Sequence, residues 1–310
     1  MERSYDNRMA ANGFLPYKMG YLTDWMTKKP EEELNETEEN RAQALAELRK
    51  LIAKERNLAI WTDDSHLLQF LRARKFDPER AMELVRNLYA MFKDNPDIYP
   101  MLLDTSIANT VCGTNVGGAF PYRHKDGGVV IFMRAANWDP DQIPIQLAVL
   151  SLTALLLSLL EDPATQVCGV HVVYGGEYKL SHLRVISVRY IRLISRIIRN
   201  TMPIRFNAIH IVNESPILRY VFNIFKIFLS EKIMTRIHFH GNNMNQLHEY
   251  IPKEILPPEY GGNNINYSAS ESSCKNDLSQ IVLILTVTFL VLKLSVWQIS
   301  SLSVGWFRSL

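Results

Sequence analysis

Only three cysteines occur in the 310 residues, Cys112, Cys168 and Cys274. They are far apart and odd in number, which excludes a secreted-type disulfide framework and a clustered cysteine zinc site, and points to a reducing compartment. Strong net charge is missing as well. Thirty-four Lys and Arg against 32 Asp and Glu leave +2 at pH 7, too little for a generally basic nucleic-acid coat. Gly-x-Gly-x-x-Gly, the Walker loop, the Gly-x-Ser-x-Gly elbow and His-Glu-x-x-His are all absent. With them go the usual signatures of nucleotide, serine-hydrolase and zinc-protease chemistry. The expectation is a non-enzyme with no catalytic residues, no metal and no cofactor. The opening Met1-Glu2-Arg3-Ser4-Tyr5 has no apolar signal region, and Glu2 stands where myristoylation requires glycine. Synthesis in the cytosol is expected, so the Asn-x-Ser/Thr triplets at Asn35, Asn213 and Asn266 carry no glycosylation information.

What the chain does have is 47% hydrophobic and 21% charged residues, enough for a real core. Residues 1–30 mix Gly13, Pro16, Gly20 and Pro30 without a sustained period and read as a loosely ordered arm. Residues 31–100 read as a small helical unit. Glu31, Glu32, Glu33, Glu36, Glu38 and Glu39 precede Leu45, Leu48, Leu51 and Ile52, acid first and helix formers after. A second helix is expected from Asp63 to Lys75 and a third from Asp77-Pro78, a cap followed by proline at the first helical position.

Beyond Pro100 the pattern turns to short β-branched runs separated by helical stretches, the mark of an α/β layer with parallel strands. The spacing predicts strands over Val129–Arg134, Cys168–Tyr174, Asn207–Val212 and Arg236–His240. Helices are predicted near Ile143–Glu161, His182–Asn200 and Ile217–Lys232. Residues 263–277 read as a polar linker and 278–310 as a hydrophobic tail. In that tail Ile281–Leu292 is short for a membrane span, and extension through Lys293 to Trp297 gives either a marginal anchor with a snorkelling lysine or an ordinary buried element.

Charge is segregated. Six arginines and no acid lie from Arg184 to Arg205, and Arg189, Arg192, Arg196 and Arg199 share one helix face opposite Val188, Ile191, Ile194 and Ile198. Such a stripe either docks on an anionic membrane surface or pairs with acids from elsewhere in the fold. The next helix carries Ile217, Leu218, Val221, Phe222, Ile224, Phe225, Phe228 and Leu229, an apolar face wide enough to be core or to close a cavity. His238 and His240 alternate on a strand, and without a third ligand at clear spacing they read as core or hydrogen-bonded histidines.

Several ordered runs carry a resemblance. They are Phe70-Leu71-Arg72-Ala73-Arg74-Lys75-Phe76-Asp77, Asn137-Trp138-Asp139-Pro140, Ile209-His210-Ile211-Val212-Asn213-Glu214, Phe228-Leu229-Ser230-Glu231-Lys232, Arg236-Ile237-His238-Phe239-His240-Gly241-Asn242-Asn243 and Ile255-Leu256-Pro257-Pro258-Glu259-Tyr260-Gly261-Gly262. Together, over about Glu36 to Gly262, they resemble the CRAL-TRIO lipid-binding family, most closely its tocopherol-transfer and clavesin-like branch.

The resemblance implies an α/β fold: a helical N-terminal unit, then a lipid-binding domain over 101–262 whose mostly parallel sheet floors a hydrophobic cavity under a lid helix. The lid corresponds to about Pro216–Lys232. It also implies a phosphoinositide site at Arg74, Arg205, Lys232 and Arg236. The candidate cavity lining is Leu152, Leu155, Leu156, Leu159, Ile209, Ile211, Val221 and Phe225. Where relatives often carry Asp-Leu-Glu-Gly, this chain has Tyr174-Gly175-Gly176-Glu177, which bears on loop geometry and pocket shape. The expected partners are a hydrophobic small molecule or lipid and a phosphoinositide-containing membrane, with no nucleic acid. The expected function is intracellular lipid binding and transfer at cytosolic membrane faces, endosomal among them. The alternative is a phosphoinositide-binding trafficking scaffold without cargo.

Overall fold

The computed structural model describes residues 9–55, 58, 60–99 and 116–264. The expected tail anchor, most of the polar linker, Cys112 and Cys274 lie outside the described residues. Among the described residues, no helix is long and apolar enough to cross a membrane.

Local capping builds the helical unit. α1 (Lys29–Leu34) has Pro30, Glu31 and Glu32 in its first turn and ends at Asn35, which is left-handed at φ 66°. The helix expected from Glu31 is therefore interrupted, and α2 (Glu38–Ala53) restarts where the Thr37 hydroxyl accepts the Asn40 N–H. α3 (Asp64–Ala73) is capped by Asp63 and α4 (Pro78–Asp94) by Asp77, each cap contributing about 1 kcal/mol. Between α3 and α4, Lys75 and Phe76 take φ of 54° and 58°. Two consecutive left-handed residues are costly without glycine. They reverse the chain so that the Phe76 N–H reaches the Leu71 carbonyl at 2.8 Å.

Five strands form one sheet in the order β1 (Gly117–Ala119), β2 (Val129–Arg134), β3 (Val170–Gly175), β4 (Phe206–Val212), β5 (Ile237–Phe239). β1 is antiparallel to β2, and the remaining pairs are parallel. β1 was not expected, because Gly117-Gly118-Ala119 carries no strand pattern. The strand expected from Cys168 begins two residues later, since Cys168 closes a short helix, α6 (Pro163–Cys168). α5 (Ile145–Leu159) precedes it.

The sheet has two covered faces, which explains the near-continuous apolar strands. Val129, Ile131, Val172, Ile209 and Ile211 share a buried cluster with α5 and with Leu48, Phe70 and Val85 of the helical unit. The boundary near residue 100 thus does not interrupt the core. Val130, Phe132, Val173 and Val212 pack on the other side with Leu247, Ile251 and Ile255. A register shift opposite Val170 and His171 leaves Asn207 as an extra residue on β4.

Residues 9–30 are not a loose arm. Met9, Phe14 and Met26 are buried, and Pro16 bridges Tyr122. The fully buried Arg123 donates to the carbonyls of Pro16, Tyr17 and Gly127, to Thr165 and to the Asp162 carboxylate at 3.0 Å.

The helix expected over His182–Asn200 is two pieces, α7 (Leu180–Leu183) and α8 (Val188–Arg196). α8 runs into a widened π turn over Ile197–Thr201. The lid is likewise divided, into α9 (Pro216–Phe225), a 3-10 turn at Lys226–Phe228 and α10 (Glu231–Met234). Ser230 caps α10 and enforces the break. α11 (Met244–His248) follows β5.

Candidate functional site: a cationic rim beside a lid helix

Arg205 enters β4, Arg236 enters β5 and Lys232 sits on α10, so the ends of neighbouring elements deliver three cations to one place. The Lys232 ammonium registers the result. Burial first, and then the fields of Arg236, Lys75, Arg80 and Arg205, pull its pKa below the ordinary value. Burial and then Arg205 do the same to Arg236. Of the four expected headgroup residues, Arg205, Lys232 and Arg236 are therefore brought together. Arg74 stands at the margin, its pKa lowered by burial and then by Arg80, with Glu83 opposing.

Lys75 and Arg80 were missed. Lys75 lies in the left-handed turn after α3 and is exposed, and Arg80 lies in the first turn of α4. Part of the cluster is already neutralised: Arg205 donates to Glu33 at 2.9 Å and to the Val167 carbonyl. Arg236 donates to the Phe206 carbonyl. The Lys232 ammonium forms no hydrogen bond or ion pair among the described residues, its backbone carbonyl accepting from the Thr235 hydroxyl at 3.0 Å. Like charges that depress one another's pKa values hold a positive potential that a polyanion relieves.

The lid begins at a cap, the Ser215 hydroxyl accepting the Leu218 N–H at 3.2 Å, with Pro216 in the first turn. Of its apolar residues only Leu218 and Val221 are buried; Ile217, Phe222, Ile224, Phe225, Phe228 and Leu229 are half-buried. Tyr220 and Ile227 face outward, 62% and 73% exposed. Phe222 meets Phe239 of β5 edge-on at 4.9 Å. The wide face is thus lightly covered.

The departure at Tyr174-Gly175-Gly176-Glu177 lies under the start of this lid. The Ser215 N–H donates to the Gly176 carbonyl at 2.9 Å. A Cβ on Gly176 would come 2.9 Å from the Glu214 Cα and 2.5 Å from Leu218, so only glycine admits this approach.

The arginine stripe is divided by its contacts. Arg189 forms an ion pair with Asp97 at 2.6 Å. Arg192 lies over the Phe228 ring, and Arg199 donates to the Phe228 carbonyl. Arg196 is half-buried. The face opposite is shifted from that expected: Val188 is exposed, while Tyr190, Ile191, Leu193 and Ile197 are buried.

Among the expected lining residues, Leu152, Leu156, Leu159, Ile209 and Ile211 belong to one buried cluster, and Leu155 packs against it. Val221 is buried and Phe225 half-buried, both outside that cluster. A cleft of about 340 Å³ opens elsewhere, between α3 and the start of α6, lined by Arg41, Asp64, Leu68, Arg72 and Glu161 among others. It touches none of the expected lining. On the opposite sheet face His240 is hydrogen-bonded to His210 at 3.0 Å, and His238 stacks on His210.

Residues 115–262 match the CRAL/TRIO domain. The human alpha-tocopherol transfer protein-like protein is 34% identical over 254 residues, covering 80% of this chain and 73% of that one. The chain belongs to the CRAL/TRIO family. Human clavesin-2 is 32% identical over 237 residues, 74% of this chain and 71% of its own. The solved structure of Sfh5 aligns over 80% of this chain and 99% of that chain at 14% identity, with a TM-score of 0.44. In this CRAL/TRIO chain the match takes in the whole sheet, the lid and three of the four expected headgroup residues, Arg205, Lys232 and Arg236. Arg74, Lys75 and Arg80 lie outside it, in the helical unit.

Proposed function

We propose that this protein binds a hydrophobic lipid and transfers it between membranes, docking through phosphoinositide headgroups. Arg205, Lys232 and Arg236 take the phosphates, with Lys75 and Arg80 beside them and Arg74 at the edge. Arginine suits phosphate because its planar fork grips two oxygens, and Lys232 adds a point charge. Arg192, Arg196 and Arg199 face the same membrane, with Tyr220 and Ile227 entering the interfacial layer. Leu152, Leu155, Leu156, Leu159, Ile209, Ile211, Val221 and Phe225 contact the cargo. The process is exchange without bond making: phosphate binding at Lys232 favours the arrangement in which α9 swings away, and the ligand leaves.

The observation that carries this reading is the convergence of mutually repelling cations at the C-terminal end of a lightly covered apolar helix. Relatives named for tocopherol transfer support the cargo class. Native mass spectrometry with lipid extraction of the purified full chain tests it. One stoichiometric apolar molecule is expected. An empty protein would overturn the cargo half and leave headgroup recognition as a trafficking scaffold.

A further inference from the structure

We propose that His124, Asp126 and His171 form a site for one divalent transition-metal cation, on the sheet face away from the lid. This stands independently of lipid transfer. Their three ligand atoms lie within 4.8 Å of one another. Asp126 Oδ1 is 2.9 Å from His124 Nδ1, and Oδ2 is 2.9 Å from His171 Nε2.

The turn that leads into β2 builds the site. The His124 N–H donates to Gly128, and the Gly127 N–H donates back to His124, each at 2.8 Å. Gly127 is left-handed at φ 88°, and a Cβ there would come 2.6 Å from the Cys168 sulfur. The turn is thus pressed against the start of β3, where His171 projects beneath Asp126. The extra β4 residue, Asn207, aims its amide at Asp126 Oδ2, 3.3 Å away, and at the Cys168 carbonyl, 2.7 Å away.

Proton placement argues for a cation. His124 Nε2 faces the Tyr250 carbonyl at 3.0 Å. A carbonyl only accepts, so that nitrogen carries the hydrogen and neutral His124 presents a lone pair at Nδ1. The Asp126 backbone N–H points at the same Nδ1 from 3.3 Å. At His171 the Asn207 amide nitrogen faces Nε2 at 3.5 Å, while Nδ1 is buried without a partner among the described residues. At His124 a lone pair thus faces an ionised carboxylate, while His171 Nε2, 2.9 Å from Asp126 Oδ2, donates its hydrogen there unless a metal ion replaces it. Either an extra proton or a metal ion must lie between His124 and Asp126.

Two imidazoles and one carboxylate suit zinc and its first-row neighbours, with an open position for water. Magnesium and calcium prefer all-oxygen ligation. Asp126 is 36% exposed and His171 8%, so the site is anchored at its base and open to entry. A carbonyl held by a partner and fixing the tautomer is the support that metal-ligating histidines usually have. The site also adjoins the cationic rim: Lys29 donates to the Asp126 carbonyl at 2.9 Å and pairs with Glu33, which holds Arg205.

The test is titration of the metal-free full chain with Zn²⁺ against a chromogenic chelator. One equivalent is expected, and Asp126→Asn and His171→Gln should each weaken it more than ~10-fold. His238→Gln, outside the site, should leave it unchanged. Asp126 also accepts the Gly128 N–H, so His124→Gln, which keeps the turn's backbone bonds, repeats the test should Asp126→Asn misfold. Binding no tighter than in these variants, or binding lost with His238, overturns the proposal. So does nitrogen NMR showing His124 doubly protonated at neutral pH and unmoved by zinc.

Discussion

The Arg192 guanidinium lies over the Phe228 ring, 5.4 Å from its centroid, joining the basic helix α8 to the end of the lid. An exposed cation–π contact contributes about 0.5–1 kcal/mol. Arg192→Ala should therefore raise amide exchange over residues 216–229 by about two- to five-fold and leave α2–α4 unchanged. Equal exchange in both proteins would mean that this contact does not hold the lid.

Arg123 satisfies carbonyls from residues 16, 17 and 127 and faces Asp162 in the interior. Removing one member of a buried pair typically costs about 3–5 kcal/mol, because the other charge is left uncompensated. Arg123→Met should lower unfolding stability by that amount in urea, and adding Asp162→Asn should recover part of it. A loss below about 1 kcal/mol would contradict the anchoring of residues 9–30 through this side chain.

Burial, and then the neighbouring His240, His171, His238 and His124, lowers the His210 pKa to about 3, whereas an unfolded histidine titrates near 6.5. Between those values the unfolded chain holds a proton that the folded one lacks. The contribution of neutral His210 is complete above about pH 6.5 and declines as pH falls toward 3, by about 1.4 kcal/mol per unit at most. Urea unfolding at pH 7.5 and 5.5 should show a smaller loss for His210→Gln than for the native chain. Identical losses would contradict the assignment.

Elements with a local cause could be read from the sequence. β2 and the Asp77-Pro78 helix start match the expectation because a continuous apolar, β-branched run and a helix cap both act within a few residues. β1 was hidden since its three residues pair with distant Met133, Phe132 and Ile131. The rim was partly legible: family spacing located Arg205, Lys232 and Arg236, while Lys75 and Arg80 arrive through a left-handed turn that Lys75-Phe76 does not advertise. Spacing drew attention to His238 and His240, yet the cluster with ligand geometry joins His171 to a turn 45 residues earlier. Periodicity reveals faces; it cannot reveal which distant loop lies over them.

The most direct measurement is transfer of a fluorescent tocopherol analogue between vesicles, with and without phosphatidylinositol bisphosphate in the acceptor. Each cation near an anionic surface contributes about 1 kcal/mol. Phosphoinositide should therefore accelerate transfer by the native chain, and Arg205→Glu with Lys232→Glu should reduce that acceleration at least ~10-fold. Equal rates on both vesicle types, or acceleration that survives the double charge reversal, would contradict the account.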